Sequence, residues 1–272
     1  LSDIEKNQPV RENTVVGLAS VTKSFTALAI NMLAEENKLS LFHPVKRYLP
    51  EFRLKQKGAE DKMTLHHFMS HSAGIPPLPS ISLVNKRSMS VEERLKDKNA
   101  LTNKPHLDPR DERAIRNNED LLNFISKHDF ELLDKPGKHV SYSNDCFSLL
   151  GEVVQRVSGM PFEDFLRTRI WEPLGMDHTF IDINKLSDFE TQGLYHREDD
   201  GTLSKTFWGY REAFSSSGAM KSCIKDLLRY MEIYTNRGIV DGKTICQSST
   251  ADRMTVPYYP LEGRACYAYG LE

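Results

Sequence analysis

Apolar residues recur at three- and four-residue spacing at Phe25, Leu28, Ala29, Met32 and Leu33, which predicts a helix over residues 18–37 with one face turned inward. The run Ser20-Val21-Thr22-Lys23 offers capping groups at its start, and Asn37 offers a stop. Leu39 to Phe52 alternates apolar residues with Pro44 and Pro50, so it predicts turns and short helical pieces. A short helix is expected from Met63 to Met69, closed by His71-Ser72-Ala73-Gly74-Ile75-Pro76-Pro77. Helical periodicity returns at Asp120 to Ile125 and at Phe147 to Val157, which Ser158-Gly159 ends. Pro161 to Arg169 follows, with Pro at a permitted first-turn position. Ser222 to Tyr234 is a further amphipathic helix, stopped near Gly238. Strand patterns are few, the candidates being Thr14 to Leu18 and Thr179 to Ile183.

Between these elements, residues 80 to 118 are highly charged and poor in large apolar groups. That stretch reads as an exposed excursion, with Glu92-Glu93 and Asp108 to Asp111 as solvated surface. The chain has 272 residues, 39% hydrophobic and 27% charged, enough to bury a sizeable core. Its net charge of −2 gives no electrostatic case for nucleic acid or an acidic membrane surface, and no long apolar run marks a bilayer span. Cys146, Cys223, Cys246 and Cys266 are scattered without a CxxC pair, so free buried thiols are expected.

Two places combine residues able to do chemistry. In a helix, Ser20 and Lys23 fall one turn apart on one face. A serine needs a base within hydrogen-bond reach, and a solvated lysine, at about 10.4, is protonated at neutral pH. Burial and the positive end of the helix dipole both lower the lysine, and the same helix end offers N–H groups to an oxyanion. The alternative is a capping serine beside a solvated lysine. The second place is Tyr142-Ser143-Asn144, in a loop after Pro136-Gly137. A phenol there can shuttle protons if a nearby cation lowers its pKa, and Asn144 can accept from Lys23. The alternative is a packed Tyr and an Asn144 that N-caps the next helix. His67 and His71 are spaced like a metal pair but lack the HExxH glutamate, so they and His66 read as helix-end histidines with structural hydrogen bonds. Trp171 and Trp208 read as core or pocket wall, and Ser216-Ser217 as a loop near a cleft.

Leu18-Ala19-Ser20-Val21-Thr22-Lys23-Ser24-Phe25-Thr26 resembles the first active-site motif of the serine β-lactamase and penicillin-binding-protein superfamily, in its class C and esterase-like branch. The likeness continues through Lys38 to Val45, Tyr48 to Phe52, Met63 to Pro76, Tyr142-Ser143-Asn144, Leu150 to Val154, Trp171 to Met176 and Ser216 to Met220. It covers most of residues 12 to 240. The resemblance implies an acyl-enzyme on Ser20, with Lys23 accepting its proton and Tyr142 relaying one to the leaving group. It implies that Asn144 orients substrate and lysine, that Ser217 and Gly218 lie at the substrate, and that the Ser20 N–H forms half an oxyanion hole.

The resemblance further implies an α/β (α+β) fold, with a helical subdomain over 40–170. An α/β subdomain over 1–39 and 171–272 would gather an antiparallel sheet flanked by helices. Only 19 residues precede Ser20, and Tyr267-Ala268-Tyr269-Gly270-Leu271-Glu272 stands just short of where the family's Lys-Thr-Gly or His-x-Gly motif falls. A fragment with an incomplete sheet, or one completed by another polypeptide, is therefore expected. The implied function is hydrolysis of an amide or ester (a D-alanyl peptide, a small ester or a β-lactam) without metal or organic cofactor. The alternative is a sensor or scaffold that keeps the fold without turnover. The partner expected is a small-molecule or peptide substrate. Oligomeric state and compartment are not fixed, an extracytoplasmic place being plausible for the family.

Overall fold

A computed structural model describes residues 1–84, 115–206, 208–209, 212–261, 263 and 265–272. Its axis is helix α1, Thr22–Glu35. Periodicity predicts one inward face, yet every residue from Thr22 to Leu33 is buried. The reason is that the intervening positions are also small or apolar (Ala27, Ile30), so the helix can be surrounded. Its polar residues are satisfied internally. The Thr26 hydroxyl donates to the Ser216 carbonyl at 2.6 Å, and the Asn31 amide donates to the Ala27 carbonyl at 2.9 Å. Full burial of Phe25, Leu28 and Leu33 contributes roughly 1.5–3 kcal/mol each. The helix ends at Glu35, with Asn37 in the left-handed region just beyond it.

Helix α2 (Leu65–Met69) starts at a capping box, the Thr64 side chain accepting from the His67 N–H and His67 Nδ1 accepting from the Thr64 N–H. Helices α3 (Ser80–Val84) and α4 (Asn118–Lys127) flank the excursion expected at 80–118, of which residues 85–114 lie outside the described residues. Helix α5 (Asn144–Ser158) runs against α1 and ends at Gly159, whose φ of 73° suits a residue without Cβ. Its N-cap is Ser143, not Asn144, because the Ser143 hydroxyl takes the Cys146 N–H and leaves the Asn144 amide free to face Lys23. Helix α6 (Phe162–Leu166) continues through a π turn at Arg167–Trp171 into α7 (Glu172–Leu174). That turn ends two residues before Pro173, which has no N–H to give a helical bond.

Short helix α8 is Ser215–Gly218, where a loop was expected, and it sits between α1 and α5. Helices α9 (Ile224–Thr235) and α10 (Ser248–Met254) complete the helical set described. The strands are short. β1 (Val16–Gly17) pairs antiparallel with β4 (Lys221–Ser222), Val16 facing Ser222 and Gly17 facing Lys221. β2 (Leu194–Arg197) with β3 (Leu203–Thr206), β5 (Ile239–Val240) with β6 (Lys243–Thr244), and β7 (Tyr259–Pro260) with β8 (Cys266–Tyr267) form three more antiparallel pairs. Thr179 to Ile183 is not a strand: only Phe180 bridges, to Lys221. The architecture is thus helices with small antiparallel sheets. All four cysteines are free, three of them buried and Cys266 half-buried. Among the described residues no helix is long and apolar enough to cross a membrane.

Candidate active site

Three steps of backbone geometry put Ser20 on the surface at the buried end of α1. The Leu18 N–H donates to the Met220 carbonyl at 2.9 Å, which extends the β1–β4 pairing by one residue. Ala19 then turns the chain at φ +46°, a left-handed conformation that strains a residue with a Cβ. A 3₁₀ turn, Ala19–Val21, leads into α1. Ser20 does not cap the helix as the sequence suggested: the N-cap is Val21 and no side-chain cap bond forms. The serine hydroxyl is left for other partners.

Lys23, next on that face, is 1% exposed, and its amine has three oxygen neighbours. These are Ser20 Oγ at 3.1 Å, Asn144 Oδ1 at 2.8 Å and the Ser217 carbonyl at 2.7 Å. No carboxylate is among them. The amine lies over the Tyr142 ring at 4.8 Å and the Phe147 ring at 5.7 Å. Burial without a counter-charge pushes its pKa from 10.5 down to about 7. At neutral pH a substantial fraction is therefore the free amine, with a lone pair able to accept the Ser20 proton.

Tyr142 completes the contact from the loop before α5. Its hydroxyl donates to Ser20 Oγ at 2.6 Å, and it is 37% exposed. The sequence reasoning required a cation to lower this phenol. Burial instead raises it, with the Ser20 hydrogen bond a smaller opposing cause, so the group is a protonated phenol at neutral pH. It is set up to donate a proton.

Ser217 and Gly218 flank the same groove, but Ser217 meets Lys23 through its carbonyl. Its hydroxyl is turned into the core, donating to the Phe214 carbonyl at 3.2 Å and accepting from the Ser148 hydroxyl at 3.3 Å. The groove beside Ser20 holds about 390 Å³ and is walled by Ile81, Leu194, Trp208, Phe214 and Met220. Gly17 makes the Trp208 wall possible, since a Cβ there would stand 2.7 Å from the indole ring.

The final residues pass behind the site. Gly270, at φ +68°, lies so close to α1 that a Cβ would stand 2.8 Å from the Lys23 carbonyl carbon and oxygen. Tyr269 is 2.7 Å from His66 Nδ1 through its hydroxyl, and the Tyr267 ring packs tilted against His71. His67 and His71 do not converge on a metal: His67 caps α2, and His71 Nδ1 accepts from the Ser143 N–H at 3.2 Å. Among the described residues His178, Cys223 and Asp226 bring ligand atoms within 4.8 Å of one another. There Asp226 Oδ2 already accepts from the His178 N–H at 2.8 Å and the Thr179 hydroxyl at 2.7 Å, a clasp of the chain onto α9.

Of the residues the sequence singled out, the structure brings Ser20, Lys23, Tyr142 and Asn144 together, with Ser217 joining through its carbonyl and Gly218 in the groove wall. Sequence reasoning passed over the Ala19 turn, Phe147 and the closeness of Gly270 to α1. Ala19 gives no signal, because a positive φ at a non-glycine residue is imposed by its surroundings. The glycine in Tyr269-Gly270 was a usable one.

A family model described as Beta-lactamase matches residues 1–272. The chain is 33% identical over 177 residues to Esterase EstB of Burkholderia gladioli, covering 65% of this chain and 41% of that protein. It is 25% identical over 256 residues to a Beta-lactamase of Escherichia coli, covering 90% and 54%. Among solved structures, the octameric penicillin-binding protein homologue from Pyrococcus abyssi superposes with a TM-score of 0.80 at 27% identity, over 99% of this chain and 55% of that one. The chain spans about half the length of the curated relatives it matches.

Proposed function

The chain belongs to the Beta-lactamase family, and within it we propose a serine hydrolase that cleaves an ester or amide through an acyl-enzyme on Ser20. The observation that carries this reading is the Ser20 hydroxyl held between a buried amine lowered to about 7, at 3.1 Å, and a protonated phenol at 2.6 Å. The neutral Lys23 amine takes the Ser20 proton as Oγ bonds to the substrate carbonyl carbon. The Ser20 N–H, at the positive end of α1, stabilises the oxyanion. Collapse of the tetrahedral adduct breaks the bond to the leaving group, which takes a proton from Tyr142. The tyrosinate is restored by the proton that Lys23 acquired. Water then adds to the acyl-enzyme with the same groups acting in reverse, releasing acid and free Ser20. Asn144 holds the amine toward Ser20 through its 2.8 Å contact.

The apolar groove walls support a small ester as the better substrate. Hydrolysis of a nitrophenyl ester is expected to be faster than that of a chromogenic cephalosporin. Faster cephalosporin turnover reverses that ranking, while a stable Ser20 adduct without turnover identifies a sensor. No adduct on folded protein leaves only a scaffold.

A further inference from the structure

His71 stands directly behind the contact between Tyr142 and Ser20. Its backbone carbonyl accepts from the Ser141 N–H at 2.6 Å, and its Nδ1 accepts from the Ser143 N–H at 3.2 Å. One residue therefore holds the chain on both sides of Tyr142. Its ring also presses on the phenol, with centroids 4.2 Å apart, and is itself backed by Phe147 at 4.9 Å and Tyr267 at 4.8 Å.

This arrangement is costly to the fold. His71 is fully buried at φ +54°, a backbone conformation in which a residue with a Cβ is strained. Because Nδ1 accepts a hydrogen bond, the neutral ring carries its proton on Nε2. That nitrogen is buried with no hydrogen-bond partner among the described residues. Strain and an orphaned donor at one position, touching the reacting phenol, indicate a requirement other than stability.

We infer that His71 is a positioning residue: its ring and its Nδ1 acceptor fix Tyr142 so that the phenol meets Ser20 Oγ, and the ring keeps water from the Lys23 amine. The inference rests on the hydrolase reading. The groups facing the ring are Lys23, Tyr142 and Tyr267. Burial and the nearby Lys23 charge hold the imidazole at about 3, so the clamp stays neutral through the range in which Lys23 titrates.

The test compares wild type with His71→Gly and His71→Asn. Glycine accepts the left-handed backbone but removes ring and acceptor. Asparagine tolerates that backbone and keeps an oxygen close to the Nδ1 position. After circular dichroism confirms folding, the burst of nitrophenolate from a nitrophenyl ester gives the acylation rate, and its dependence on ester concentration gives binding. His71→Gly is expected to slow acylation about 10- to 100-fold with ester binding within about threefold, and to move the acid limb of the rate upward from about 7 as water reaches Lys23. His71→Asn is expected to recover most of the rate.

A folded glycine variant within twofold of wild type, its acid limb unmoved, overturns the inference while leaving the hydrolase reading intact. If the glycine variant does not fold, the asparagine variant decides, because it keeps the acceptor and loses the ring: most of the burst with the acid limb moved upward supports the clamp, and a full burst with the limb unmoved refutes it. A wild type without any Ser20 adduct removes the hydrolase reading and this inference together.

Discussion

Replacing Lys23 with Met should reveal a buried amine that gives up its proton on folding. The amine is 1% exposed and burial lowers it from 10.5 to about 7. In the unfolded chain it remains near its ordinary value. Between these two values the unfolded state binds a proton that the folded state does not, so stability rises with pH across that window. The contribution is therefore fully present above about 10.5 and lost as pH falls through about 7. At about 1.4 kcal/mol per pH unit, the window spans roughly 5 kcal/mol.

Met nearly matches the lysine stem in length, and the hydrogen bonds it forfeits to Asn144, Ser217 and Ser20 are largely independent of pH. They shift the difference between the two proteins without tilting it. Urea midpoints of both proteins at pH 6, 7, 8 and 9 measure the tilt, since other titrating groups cancel. Wild type should gain on Lys23→Met by about 2–3 kcal/mol between pH 7 and 9, with only about 0.3–0.4 kcal/mol of change between pH 6 and 7. A difference that stays level over that range would mean the amine is protonated throughout, and a neutral lysine base would have to be abandoned.

Tyr142→Phe removes the 2.6 Å contact with Ser20 and should lower ester turnover by about 10²–10⁴ with an unchanged melting temperature, read by steady-state kinetics beside a thermal scan. Gly270→Ala forces a Cβ to 2.8 Å from the Lys23 carbonyl at a φ of +68°, so a loss of about 1–3 kcal/mol is expected in denaturant titration. Asp145 is buried at the start of α5, accepting from the Ser80 hydroxyl at 2.5 Å, and burial raises its carboxyl from 3.8 to about 6. For an acid raised in this way, stability is full below the unfolded value and lost as pH rises through about 6. Asp145→Asn should thus gain roughly 2–2.5 kcal/mol on wild type between pH 4 and 7, and equal midpoint differences at both pH values would contradict it.

Local pattern carried the helices because each buries a face that repeats at helical spacing, and α1, α5 and α9 lie within a few residues of where periodicity sets them. It underestimated α1, whose second face is covered by α5, α8 and α10, partners that no local window contains. It misread Thr179 to Ile183, where an apolar run takes part in a single bridge and the Thr179 hydroxyl, with the His178 N–H just before it, clasps α9. Ser20 and Lys23 were legible because their separation is set inside one turn. Tyr142 was placed by resemblance, since 122 residues separate it from Ser20. The raised phenol was not legible at all: its sign depends on how much solvent reaches the ring, which only the assembled loop decides.

The most direct measurement is the rate of Ser20 acylation by a fluorophosphonate as a function of pH, followed by intact mass and peptide mapping. One adduct per chain is predicted, on Ser20 and absent from Ser20→Ala, with a rate that climbs through pH about 7 and then levels. Folded protein that takes no label there, or a rate still climbing steeply to pH 10 as an ordinary lysine would give, contradicts the account.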